Sequence, residues 1–84
     1  MFPTTLDNAN VLYYTPAGNY GAVYWSHGGI ADYITFLAIC KYPDSEECCL
    51  FSCNEQYEVV ADDLFSSVQE AMNAVRQEIT WLKA

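Results

Sequence analysis

The sequence predicts an α+β fold: an antiparallel meander of about five short strands packed by one C-terminal amphipathic helix, in a single domain spanning residues 1–84. Three observations carry that prediction. Short runs rich in Tyr, Val, Ile and Trp alternate with turn residues up to Ala61. After Ser66 the apolar period changes from two to between three and four. The chain has 84 residues, 52% apolar, 15% aromatic and 17% charged, which is enough apolar material for one core and too few residues for two domains.

The elements follow in order. Val11 to Thr15 and Tyr20 to Ser26 flank Pro16-Ala17-Gly18-Asn19, whose residue types suit a tight loop, and together they predict a first hairpin. His27-Gly28-Gly29 interrupts the pattern. Ile30 to Tyr42 favours strand by its β-branched and aromatic content, although Ile30, Tyr33, Ile34 and Leu37 also fit helical spacing. Pro43 to Glu47 is a polar turn, Cys48 to Cys53 an apolar strand, Asn54 to Gln56 a short turn and Tyr57 to Ala61 a further strand. From Ser66 to Lys83, Val68, Ala71, Met72, Val75, Ile79 and Leu82 line one face of a predicted helix. Ser66 with Gln69, or Ser67 with Glu70, supplies a capping box at its start, and Asp62 or Asp63 suits the positive end of its dipole.

Charge excludes several functions. Three Lys and Arg against eleven Asp and Glu give a formal charge of −8 and a pI near 4.1, the wrong sign for a phosphate backbone, so nucleic acid is not an expected partner. The longest apolar segment, Ile30 to Cys40, is interrupted by Asp32 and is shorter than a membrane span. No basic region followed by an apolar stretch opens the chain, which predicts a cytoplasmic location. There Cys40, Cys48, Cys49 and Cys53 read as thiols; a hairpin pairing Lys41 with Cys48 sets Cys40 opposite Cys49, where oxidation could bridge them.

Chemistry-bearing patterns are sparse. The cysteine spacing C-x7-C-C-x3-C differs from zinc-ribbon pairs, and the acidic residues lack the twelve-residue loop and central Gly of a calcium site, so no metal or cofactor is expected. His27 reads as a loop histidine, with no paired nucleophile and orienting group to make it catalytic. Charge patterning is more informative. Between Tyr42 and Val75 lie Asp44, Glu46, Glu47, Glu55, Glu58, Asp62, Asp63 and Glu70, with no Lys or Arg among them. Such a field concentrates a cationic partner, although a solvated acidic surface also serves solubility alone. Tyr13, Tyr14, Tyr20, Tyr24, Trp25, Tyr33 and Tyr42 supply more ring area than one helix covers, so Tyr14, Tyr24 and Trp25 are candidate anchors for a partner or for a homodimer.

The stretch Leu50-Phe51-Ser52-Cys53-Asn54-Glu55-Gln56-Tyr57-Glu58-Val59-Val60-Ala61-Asp62-Asp63, followed by Ser67, Glu70 and Ala71, resembles the end of small bacterial immunity-type proteins of polymorphic toxin and contact-dependent inhibition systems. The resemblance covers about 35 of the 84 residues as a strand, turn, strand and helix start. It implies an acidic, non-catalytic antidote that covers the cleft of a basic toxin or nuclease domain. The N-terminal hairpin and the ending at Ala84 depart from the usual form. A second similarity, to HicB-type antitoxin domains, lacks their Gly-Cys turn and DNA-binding tail. The expected partner-binding set is Asp44, Glu46, Glu47, Glu55, Glu58, Asp62 and Asp63 with Tyr14, Tyr24 and Trp25. The alternatives are a homodimeric interaction domain and a phage-encoded mimic of nucleic-acid charge that inhibits a host defence protein.

Overall fold

Asp7 and Asn8 both hold positive φ, 47° and 68°, the requirement of a type I′ turn, and short polar side chains tolerate that region. They join a two-residue strand, β1 (Thr5–Leu6), to β2 (Ala9–Tyr14) in a tight hairpin. The computed structural model describes all 84 residues, Met1–Ala84.

The predicted hairpin at Pro16 to Asn19 does not form. Thr15 donates its N–H to Leu37 O and accepts the Leu37 N–H on Oγ1, each at 3.0 Å, and Pro16 has no N–H to continue the ladder. The chain then resumes against the same partner, with Gly18 N–H on Thr35 O, Tyr20 N–H on Ile34 O and Ile34 N–H on Gly21 O. This leads into β3 (Ala22–Tyr24), which pairs with β4 (Ile30–Tyr33). The Pro-Ala-Gly-Asn segment is therefore an interruption in one arm of a longer hairpin. Its tip is Trp25 to Gly29, where Trp25 and Gly29 are bonded across the turn and Gly28 and Gly29 take φ of 95° and 82°.

The predicted strand Ile30 to Tyr42 is split at Ile34-Thr35 into β4 and β5 (Phe36–Lys41). Beyond it, β6 (Cys48–Cys53) and β7 (Val59–Phe65) complete the ladder. Lys41 faces Cys48 and Cys40 faces Cys49, the register expected from the sequence. The last strand starts and ends later than predicted. Tyr57 sits at φ 63° in a turn that Asn54 Oδ1 ties by accepting the N–H groups of Gln56 and Glu58. Asp62 and Asp63 consequently lie within β7 and not at a helix N-terminus.

The helix shows the largest difference from the sequence reading. It is six residues, α1 (Val68–Asn73), not eighteen; Ser67 caps it by accepting the Glu70 N–H on Oγ, and the Ser66 hydroxyl donates to the Glu70 carboxylate. Val75 and Ile79 keep their predicted face without helical backbone, and the chain then extends into β8 (Leu82–Lys83). The strand order is β1-β2-β5-β6-β7, with β8 also on β2 and β3-β4 a separate ribbon, so eight strands replace the expected five or so.

Alternation divides the central strands into two faces. On the first, Val11, Ala38, Cys40, Cys49, Phe51 and Cys53 are buried with Leu6 and Ala9, covered by Phe2, Phe36 and Tyr57. On the second, Leu37, Ile39, Cys48 and Leu50 are buried with Ala71 of α1, and Val68, Met72, Val75, Ile79 and Trp81 pack around them.

Candidate partner-binding surface

The predicted acidic residues divide among three places. Asp44, Glu46 and Glu47 are exposed on the β5–β6 turn, where Ser45 Oγ accepts the Glu47 N–H at 3.1 Å and holds the loop. Glu55 and Glu58 are exposed on the β6–β7 turn at the other end of β6, about 17–20 Å away along a six-residue strand. Asp62 and Asp63 occupy successive positions of β7 and therefore point to opposite faces. One continuous patch is not formed.

Carboxylates from three chain segments act on two neighbouring groups of the first face: Asp7 and Asp62 on Tyr42, and Asp62 and Glu47 on Cys49. The β1–β2 turn brings in Asp7, the β5–β6 turn brings in Glu47, and β7 brings in Asp62. Partial burial, the Cys49 thiol and the charges of Asp7 and Asp62 push the Tyr42 phenol up from its ordinary range. Burial, followed by Asp62, Cys48 and Glu47, pushes the Cys49 thiol up. Tyr42 is exposed, and Leu64, two residues from Asp62 on the same strand face, is 65% exposed. Lys41, the nearest base in sequence, alternates to the opposite face.

The first face therefore carries exposed Tyr42, acted on by Asp7 and Asp62, and exposed Leu64, two residues from Asp62 on the same strand. Asp7 and Leu64 were not among the residues expected from the sequence, and Tyr42 was expected only as one of the surplus aromatic rings and not as an anchor. Asp7-Asn8 is a legible turn signal, and Tyr42 follows Cys40 at the two-residue spacing of the first face; the exposure of Leu64 depends on where the sheet ends and has no local signal.

At the far end, Asn54 is buried and its Nδ2 donates to Asp32 Oδ2 at 2.9 Å and Glu58 Oε1 at 2.8 Å, tying β4 to the β6–β7 turn. Among the proposed anchors, Tyr14 is half-buried and stacks on Phe2 with ring centroids 4.5 Å apart, so it is part of the packing. Tyr24 and Trp25 are 67% and 57% exposed on the β3–β4 ribbon, and Trp25 stacks on His27. A groove of about 580 Å³ lies on the second face, floored by Leu37, Leu50 and Phe65 and bordered by Asp63 and Arg76.

The thiols are poorly placed for nucleophilic chemistry. Burial, assisted by Cys53 and Cys49, pushes Cys40 up to about 12, and burial, with Asp7, pushes Cys53 up to about 11. No group of three or more His, Cys, Asp or Glu side chains has the geometry to hold a metal ion, and no helix is long and apolar enough to cross a membrane. Comparison with protein-family models, with curated proteins and with solved structures finds no match, so the functional reading rests on the surface itself.

Proposed function

We propose that this chain is a small inhibitor of the immunity-protein kind, which binds a basic partner, a toxin or nuclease domain, in the cytoplasm and blocks it by occupying its cleft. The observation that carries the reading is the set of carboxylates from three chain segments on the first face, Asp7 and Asp62 acting on exposed Tyr42 and Asp62 and Glu47 acting on Cys49, with Leu64 exposed on the same strand face as Asp62, on a molecule with a single ion pair, Arg76 with Glu78 at 3.5 Å. Exposed carboxylates without bases speed the encounter with a cationic surface, and the exposed tyrosine and leucine give apolar contact. Asp44 and Glu46 on the same turn extend the field; Glu55, Glu58 and Asp63 contribute to long-range attraction.

The test is capture of partners by the tagged full chain from its source cell, eluted by rising salt and identified by mass spectrometry. The expected result is a basic protein released as salt rises, whose capture falls at least tenfold when Glu47 and Asp62 are both changed to Lys. A captured protein that resists salt and tolerates the double reversal would reject the reading.

A further inference from the structure

The sheet has several free edges, and they are treated differently. The outer edge of β2 is capped at one end by β1 and at the other by β8. The outer edge of β7 carries Asp62 and Asp63, which deter pairing with another strand. The β3 edge of the β3–β4 ribbon has neither protection. From Asn8 to Ala31 the chain contains no Asp, Glu, Lys or Arg, although the molecule carries −8 overall. On the ribbon, whose one charged side chain is Asp32 of β4, Tyr24, Trp25, Ile30 and Tyr33 are all exposed, Tyr33 by 60%. Two strands alone are marginally stable in water, so the ribbon gains by acquiring neighbours.

We propose that two copies of the chain associate through their ribbons, β3 of one lying antiparallel to β3 of the other about a two-fold axis at Val23. The edge used is that of β3, whose Ala22-Val23-Tyr24 carries no charge; Asp32, across from Val23 on β4, lies one strand away from the axis and is held by Asn54 at the β6–β7 turn. Self-pairing places Ala22 opposite the partner copy's tyrosine and builds a four-stranded ribbon in which each contact occurs twice. The exposed parts of Tyr24 and Trp25, the large side chains on or next to β3, amount to at most roughly 600 Å² over two copies, so the association is a weak and reversible one. A second copy suits the β3 edge better than a cationic partner does, because neither β3 nor the tip from Trp25 to Gly29 carries a carboxylate to attract a base. The acidic first-face surface is left free, so the association is independent of partner capture.

Sedimentation velocity of the full chain across the micromolar range, at low and high salt, tests the proposal. The expected result is a reversible dimer that persists at high salt, weakened at least tenfold by Val23→Lys and by Trp25→Ser and unchanged by Glu47→Lys. Trp25→Ser alters only an exposed tip residue, so it remains informative if Val23→Lys unfolds the ribbon. A monomer at every concentration, a dimer indifferent to both ribbon variants, or a captured foreign protein whose binding depends on Trp25 while the chain stays monomeric would overturn it.

Discussion

Asn54 uses its full hydrogen-bonding capacity: Nδ2 donates to Asp32 and Glu58, and Oδ1 accepts the N–H groups of Gln56 and Glu58. Asn54→Ala therefore leaves two backbone donors and two carboxylates without their partner, at a cost of about 2–3 kcal/mol, or roughly 10–20 °C in Tm for a domain of this size. Thermal unfolding checks it, and a loss under about 2 °C would show that water replaces the side chain without penalty. The cysteines give a pH prediction. Cys40 at about 12 and Cys53 at about 11 lie above the ordinary thiol value of 9.0, so folding favours the protonated form. Their contribution to stability is complete below about pH 9 and is lost as pH rises towards 11 and 12. Native protein at pH 8 should react with a thiol reagent at least tenfold more slowly than denatured protein; equal rates would show that the first face opens freely.

At the scale of elements, β8 explains why the helix stops. An eighteen-residue helix would run about 27 Å, whereas the chain turns after Asn73 and carries Leu82 and Lys83 back to Tyr14 and Tyr13, with Ala84 N–H on Leu12 O at 3.0 Å. Removing residues 82–84 should uncover half of the β2 edge, lower Tm by several degrees and increase aggregation on heating, whereas an unchanged Tm would mean that β8 is peripheral. This also separates what the sequence could and could not disclose. The β5–β6–β7 pairings were legible because each turn lies between two runs of matching alternation. The Ser67 cap was legible because it depends on residues three apart. The periodic face at Val68, Met72, Val75 and Ile79 was legible too, but periodicity reports which residues are buried and does not distinguish helix from a turn-rich segment held on the same core. Pro16-Ala-Gly-Asn19 misled for a related reason: turn residues also suit an interruption in a strand, and the partner that decides between them, Leu37, lies 22 residues from Thr15. For the site, Glu47 and Asp62 were visible as acidic residues, but the set they form with Asp7 on the first face depends on the sheet order.

For the whole molecule, eleven carboxylates and one ion pair within extents of 36 × 25 × 25 Å place like charges nearer to one another than an unfolded chain would. Folding therefore works against self-repulsion, which salt reduces because the screening length falls from about 30 Å at 0.01 M to about 8 Å at 0.15 M. Tm should rise by a few degrees over that range of sodium chloride. Glu46→Lys with Glu47→Lys should raise Tm at low salt and flatten its response, since the change reduces the net charge. The same substitutions should slow association with a basic partner, most clearly at low salt, where steering is strongest. The two effects have opposite value for the cell: the carboxylates weaken the free protein while speeding capture. A surface that serves solubility alone would show the gain in Tm without any loss in association rate. Measuring both on the double variant therefore separates acidity kept for a partner from acidity kept for solubility, and a Tm that is flat or falls with salt in the unaltered chain would remove the repulsion on which the comparison rests.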